Sequence, residues 1–256
     1  MLIAIDVGNS HTVIGIYEGD RLLHHWRIST SAERTTDEHG AVLNTLLAAK
    51  GIEFGAKPEG VAIACVVPPL NQVMEQLAER YFGCSPLMVG PGVKTGMPIL
   101  YENPKEVGAD RIVNSLAAYE HVAGACIVVD FGTATTFDYV TGRGEYAGGA
   151  IAPGLGVSMN ALIEHAAKLY RVELVRPREA IGRTTVGSIQ SGLIFGYTAL
   201  VDGLVQRILK ERGEKARIIA TGGFADLIAP ESETIDEVDE FLTLKGLRLI
   251  FERNRR

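Results

Sequence analysis

One pattern occurs twice, and it restricts what this chain can fold into. The run from Ile127 to Asp138 delivers an aspartate and a glycine, Asp130 and Gly132, from a β-branched stretch into a loop of small hydroxyl residues, and a second strand-like run through Phe137 and Tyr139 follows at once. Such a run reads as a hairpin with a charge at its bend. The glycine permits close backbone approach to a ligand, Thr133, Thr135 and Thr136 offer hydroxyls, and the Asp130 carboxylate is suited to hold a cation beside phosphate oxygens. The same layout opens the chain as Ile3-Ala4-Ile5-Asp6-Val7-Gly8-Asn9-Ser10-His11-Thr12. Superposing Asp6 on Asp130 sets Gly8 on Gly132 and Thr12 on Thr136, an offset close to half the chain, which predicts a duplicated half.

The order of elements agrees with duplication. Leu2 to Val7, Thr12 to Tyr17 and Leu22 to Ile28 predict an antiparallel meander, with Glu18-Gly19-Asp20 as a tight turn. Residues 32–50 switch to helical periodicity through Val42, Leu43, Leu46 and Leu47. Gly60 to Val67 is apolar enough for burial on both faces, Pro69 to Phe82 reads as a helix, and Leu87 to Val89 as a strand, giving βββαβαβ. Pro91 to Pro104 reads as a connection, and Lys105 to Val122 as a helix that Gly124 ends. The second half repeats βββα through a strand near Glu145 to Ile151 and a helix from Leu155 to Leu169. A long helix from Gln190 to Lys210, a strand from Ala216 to Ala220 ending in Thr221-Gly222-Gly223, a helix from Phe224, a polar link over Glu231 to Glu237 and an amphipathic segment from Leu242 to Phe251 complete it. The expected domains are residues 1–115 and 116–256.

Composition narrows the partners. The 256 residues are 46% hydrophobic, ample for real cores, and the net charge of -6 provides no long-range attraction for nucleic acid. The basic tail of Arg253, Arg255 and Arg256 is too short to reverse that, so a small-molecule ligand is expected and nucleic acid is not. Cys65, Cys84 and Cys126 show no Cys-x-x-Cys spacing and read as reduced, mostly buried thiols. The start of the chain runs straight into a strand, and no apolar run approaches the roughly 18 residues that a bilayer span needs. A cytoplasmic protein with no membrane partner is expected.

Three loops leave buried strands with glycine and small polar residues, as ligand loops of open α/β sheets do. Backbone N–H groups around Gly8 to Ser10 and Gly132 to Thr135 suit polyphosphate oxygens, and Thr221-Gly222-Gly223 leaves room for a flat group such as adenosine. A single Asp-x-Gly at a hairpin is more often simply a turn, but repetition at half the chain favours nucleotide. No P-loop, no Gly-x-Gly-x-x-Gly, no His-Glu-x-x-His and no Gly-x-Ser-x-Gly occurs. Phosphate handling therefore falls to the hairpins.

Asp6-Val7-Gly8-Asn9, Asp130 to Thr136 and Thr221-Gly222-Gly223 resemble the two phosphate motifs and the adenosine motif of the acetate kinase, sugar kinase, chaperone ATPase and actin superfamily. With Tyr101-Glu102-Asn103-Pro104 and Gly108-Ala109-Asp110-Arg111, the chain resembles, nearly end to end, the type III pantothenate kinases. Ser10 stands where that family usually has threonine, and serine keeps the hydroxyl. The resemblance implies an α/β protein of two duplicated ribonuclease H-like (actin-like ATPase) domains with a nucleotide cleft between them. It further implies phosphorylation of pantothenate by ATP, the entry to coenzyme A, in a homodimer. Another small-molecule kinase would lack the Tyr101 to Arg111 constellation, and a non-catalytic transcriptional accessory factor of the family would not need three aspartates.

Site roles follow from the same resemblance. ATP is expected on Asp6, Val7, Gly8, Asn9, Ser10, His11, Thr12, Val13, Thr133, Gly222 and Gly223, with Asp6 orienting a hydrated Mg²⁺ and Asp130 holding K⁺ or NH₄⁺. Pantothenate is expected on Tyr101, Gly108, Ala109, Asp110, Arg111 and Thr185, the last reaching the site of the partner subunit. Asp110 would accept the proton of the attacking hydroxyl. An ordinary aspartate, with a pKa of roughly 3.9, is a weak base for an alcohol, yet a loose phosphoryl-transfer transition state demands little deprotonation before attack. Read by residue type alone, Asp110 is a helix N-terminal charge paired with Arg111, Arg111 a surface charge, Tyr101 a solvent-edge aromatic and Thr185 a helix cap. His11 is matched with Thr135 in the second loop, which argues against base chemistry there.

Overall fold

The computed structural model describes residues 1–53 and 57–255, so Arg256 of the basic tail lies outside the described residues. In chain order the elements are β1 (Leu2–Val7), β2 (His11–Glu18), β3 (Arg21–Ser29), α1 (Thr36–Ala48), β4 (Gly60–Cys65), α2 (Asn71–Phe82), β5 (Leu87–Met88) and α3 (Ala109–Val122). There follow β6 (Cys126–Phe131), β7 (Ala134–Val140), β8 (Tyr146–Pro153), α4 (Leu155–His165), α5 (Thr185–Arg212), β9 (Arg217–Gly222), α6 (Ala225–Ile228), β10 (Glu237–Val238) and α7 (Leu242–Asn254). Two five-stranded sheets form, in the orders β3-β2-β1-β4-β5 and β10-β9-β6-β7-β8. Reversing the second list gives the same plan as the first. In both, a central strand pairs antiparallel with its hairpin partner and parallel with a strand that arrives through a helical crossover.

The first unit gathers Met1–Gly96, Asn103–Ala117 and the residues from Thr243 onward, and the second gathers Met97–Glu102 and Ala118–Leu242. The expected break after residue 115 thus falls two residues before a division inside α3, but the last helix joins the first unit instead of the second. The pleat explains why. Ile3, Ile5 and Val7 of β1 point into a core with Leu43 and Leu47 of α1 and Met74 and Leu77 of α2. Leu2, Ala4 and Asp6 point the other way, and that face needs its own apolar cover. Helix α7 supplies it, with Leu244, Leu247 and Ile250 all buried and Leu244 seated against Gly15. Gly246 lets α7 approach α3, since a Cβ there would stand 2.2 Å from the Val113 carbonyl oxygen, and Thr243 Oγ1 donates to Asn114 Oδ1 at 2.7 Å.

In the second unit Ile127, Val129 and Phe131 of β6 and Phe137 and Tyr139 of β7 pack against Leu193, Ile194, Tyr197, Val201 and Val205 of α5. This 28-residue helix begins five residues before the expected start at Gln190, because Thr184 caps it, accepting from the Gly187 N–H at 3.1 Å. The expectation that no stretch reaches the length and apolarity of a bilayer span is overturned by α5, which does so among the described residues. It carries Asp202, whose carboxylate accepts from Ser232 and Thr234 hydroxyls at 2.6 and 2.7 Å and from backbone N–H groups, as a helix packed on polar protein does. The polar link at 231–237 also supplies a short edge strand, β10, parallel to β9.

The thiols are all free, and burial raises each one, Cys126 to about 12. Helix α1 opens with a capping box in which Thr35 and Glu38 exchange side-chain and backbone bonds. One turn in, His39 is 3% exposed, with its Nε2 unbonded, and burial pushes its pKa down to about 4. The folded state therefore excludes a proton that the unfolded chain binds below about pH 6.5, so stability is full above that pH and falls as pH drops toward 4. Urea unfolding followed between pH 7 and 4 is expected to show this loss, and His39→Gln is expected to flatten the profile in that window.

Candidate functional site

The two hairpin bends have the same geometry with one residue's difference in length. Gly8 N–H donates to the His11 carbonyl at 3.0 Å, and Gly132 N–H donates to the Ala134 carbonyl at 3.0 Å. Val7 pairs with Thr12 and Asp6 with Val13, whereas Phe131 pairs with Thr135 and Asp130 with Thr136. The counterpart of Thr12 is therefore Thr135, not Thr136, and the counterpart of His11 is Ala134, not Thr135. Burial agrees with the register, since Thr12 and Thr135 are 1% and 0% exposed. The shift arises because the second bend is shorter by one residue, which a superposition on the glycines cannot register.

In the first unit, Asp6 lies half-buried near the end of β1, followed by buried Val7, half-buried Gly8 and exposed Asn9, Ser10 and His11; Val13 is half-buried. The carboxylate helps raise the thiol of Cys65, after burial itself, so Asp6 acts at short range on the end of β4. Asp110 is the second residue of α3, after Ala109, with Gly108 just before the helix. The Arg111 N–H donates to Asp110 Oδ1 at 2.8 Å, and a Cβ at Gly108 would stand 2.5 Å from that same oxygen. Glycine at 108 thus leaves the carboxylate room to fold back over the helix start. Burial raises the Asp110 pKa against the lowering effects of the Arg111 N–H and guanidinium. Arg111 is only 8% exposed, so it is no surface charge.

In the second unit, β6 and β9 are parallel and end together, with Asp130 opposite Thr221 and Phe131 opposite Gly222. Asp130, the exposed Thr133, Gly222 and Gly223 therefore share one sheet end. Gly222 has φ +90, and a Cβ there would stand 2.4 Å from Asp130 Oδ1, so the missing side chain makes the room that the carboxylate oxygen occupies. The buried Thr135 hydroxyl makes no hydrogen bond within the protein. Tyr101 is half-buried, its ring 6.3 Å from that of Tyr146 between centroids. The neighbouring Thr184, not Thr185, is the helix cap; Thr185 is exposed and lines a separate concavity of about 850 Å³ with Gly182, Arg183, Ser188, Leu162 and Ile189. Tyr146 has no place in the motifs of the sequence and Asp138 no role in them, although an aspartate inside a strand of buried residues is itself a signal.

Comparison with known proteins decides the family. The model of the type III pantothenate kinase family matches residues 2–207. The type III pantothenate kinase of Anaeromyxobacter sp. strain Fw109-5 is 58% identical over 255 residues, covering all of both chains. The chain belongs to the type III pantothenate kinase family. Among solved structures, a Campylobacter jejuni chain described as a Baf family transcriptional activator aligns over 98% of both chains with TM-score 0.61 and 17% identity. The ROK hexokinase of Thermus thermophilus aligns over 100% of this chain and 99% of its own with TM-score 0.55 and 14% identity. At such identities the likeness is one of fold, the actin-like ATPase fold, and an activator and a kinase share it.

The Gly222 backbone generates a direct expectation. Gly222→Ala meets both a left-handed φ and the Asp130 carboxylate, so urea titration is expected to report a loss of about 1–3 kcal/mol with an unchanged m-value.

Proposed function

We propose that this member of the type III pantothenate kinases transfers the γ-phosphoryl group of ATP to the terminal hydroxyl of pantothenate, with Asp110 as the proton acceptor. The observation that carries the reading is end-to-end kinship with that family, joined to an Asp110 that burial makes more basic than a free aspartate. The hydroxyl oxygen of pantothenate bonds to the γ-phosphorus, the bond to the β–γ bridging oxygen breaks, ADP leaves and the hydroxyl proton passes to the Asp110 carboxylate. A raised pKa suits that task, and Gly108 lets the carboxylate sit where it does.

Arg111 is assigned to the pantothenate carboxylate through a bidentate pair, with Tyr101, Gly108 and Ala109 as further contacts and Thr185 serving the site of a partner subunit in a homodimer. The Gly8–Ser10 and Gly132–Thr133 bends are assigned to the phosphates and Gly222-Gly223 to adenosine. Asp130, at the carboxyl end of the β6–β9 parallel pair with its carboxylate against Gly222, is assigned to a monovalent cation such as K⁺ or NH₄⁺. Asp6, half-buried at a strand end, fits a hydrated Mg²⁺, which keeps several waters and takes few protein ligands. When bound, these cations supply positive charge that offsets the phosphate oxygens. The reaction and the family together support a cytoplasmic enzyme.

The test is an ATP-dependent assay with pantothenate, Mg²⁺ and either K⁺ or Na⁺. Turnover dependent on K⁺ is expected, and Asp110→Asn is expected to lower kcat by about 10²–10⁴. Because burial raises the Asp110 pKa, the ionised carboxylate costs the folded state stability relative to the unfolded chain, so the same variant is expected to keep or raise Tm. ATP binding by the wild type without phosphopantothenate, or an Asp110→Asn enzyme of normal kcat, would overturn the assignment.

A further inference from the structure

We infer that Asp138 and Tyr146 are positioning residues that set the Tyr101 ring for pantothenate; the inference rests on the reading of Tyr101 as a substrate contact. Tyr101 lies in a segment, Met97–Glu102, with no regular secondary structure beyond a single bridge, and an aromatic ring on such a segment is placed only by what it touches. The segment is stitched to the start of β8 by two backbone bonds. Tyr146 N–H donates to the Pro98 carbonyl and Leu100 N–H donates to the Tyr146 carbonyl, each at 2.8 Å, around a parallel bridge from Ile99 to Tyr146. One residue, Tyr146, thus holds the backbone on both sides of Ile99.

The same residue holds the ring. The Tyr101 and Tyr146 centroids are 6.3 Å apart at an interplanar angle of 49°, within the range of favourable aromatic pairs. Gly148, with φ +105, lies beneath the Tyr101 ring, whose nearest atom would be 3.5 Å from a Cβ at that position. Tyr146 is in turn fixed from inside. Its ring is fully buried, and its hydroxyl donates to Asp138 Oδ1 at 2.8 Å, while Thr136 Oγ1 donates to Asp138 Oδ2 at 3.3 Å. A bulge between Tyr139 and Val140 brings Tyr146 opposite Val140, on the strand face that also carries Asp138 and Thr136.

Burying Asp138 completely is costly unless its oxygens are bonded, and a phenylalanine at 146 would fill the core as well. What the Asp138 to Tyr146 bond adds over plain packing is direction: it fixes the tyrosine along its long axis and with it the seat of Tyr101. Thr136 is the cross-strand neighbour of Asp130. The line Asp130, Thr136, Asp138, Tyr146, Tyr101 therefore runs from the proposed cation to the proposed substrate along adjoining residues.

The experiment is a double-mutant cycle on the full-length enzyme, reading KM for pantothenate and for ATP separately. Tyr101→Ala and Tyr146→Phe are each expected to raise the pantothenate KM, Tyr146→Phe by about tenfold or less, the effect of one misplaced contact, with the ATP KM within about twofold. The decisive expectation is that Tyr146→Phe adds nothing in the Tyr101→Ala background. An equal effect in both backgrounds, or a parallel rise in both KM values, would overturn the positioning role. An unchanged pantothenate KM in Tyr101→Ala would overturn the underlying reading of Tyr101, and the inference with it. Should Tyr146→Phe fail to fold, Leu100→Pro removes the N–H that bonds the Tyr146 carbonyl at a residue 56% exposed, and the same pattern is expected of it.

Discussion

Both sheets depend on a central strand bonded to an antiparallel partner on one side and a parallel partner on the other. β1 lies between β2 and β4, and β6 between β7 and β9. A strand so placed has no free edge and two faces to bury, and so it consists almost wholly of Ile, Val, Leu and Ala until its final pair of residues. The polar residue that breaks the run, Asp6 or Asp130, falls one residue before the strand end, on the face opposite the Ile3/Ile5/Val7 or Ile127/Val129/Phe131 core. Each carboxylate is thereby held at the carboxyl end of a parallel pair, where open α/β sheets take their ligands. The bend glycine follows two residues later, and its N–H closes the bend onto the first residue of the antiparallel partner, His11 or Ala134.

This constraint also explains which features were legible in the residues. The hairpins, the apolar crossover strands and the amphipathic helices follow from periodicity, and so does the shared strand order, since a meander followed by a helix and a buried strand has few ways to pair. The hairpin register was not legible. Asp6 and Asp130 align by motif, but the partner strand is positioned by the number of residues in the bend, and one residue moves every partner. The Thr12 and Thr135 equivalence therefore emerged only from the ladder. The assignment of α7 was hidden for a different reason: its apolar stripe shows that it must be covered, and nothing in the stripe says which sheet face lacks a cover.

Of the candidate site, the residues with unusual neighbours in sequence were readable and those with unusual neighbours in space were not. Gly222 could be recognised as a close-approach glycine from Thr221-Gly222-Gly223, but the object it approaches, the Asp130 carboxylate, arises from the β6–β9 register. Arg111 looked like a surface partner for Asp110 at the adjacent position, yet it is buried. Tyr146 carried no local signal at all, because its partners Pro98, Leu100 and Tyr101 come from one distant segment and Asp138 is brought to it across the β7–β8 hairpin by a β-bulge.

The contrast between Asp138 and Asp110 gives these placements a chemical sense. Asp138 is fully buried and Asp110 half-buried, and they are supplied differently. Asp138 has a hydroxyl committed to each oxygen, from Tyr146 and Thr136, and sits in the middle of a strand where no backbone can move aside. Asp110 sits at a helix start, where the Arg111 N–H and guanidinium stabilise its charge, and burial still outweighs them, so its affinity for a proton rises. A carboxylate with both oxygens engaged serves as a fixed acceptor that orients its donors. One whose charge is incompletely compensated, at an element start with glycine beside it, binds a proton more readily than a free aspartate, which suits the role proposed for Asp110.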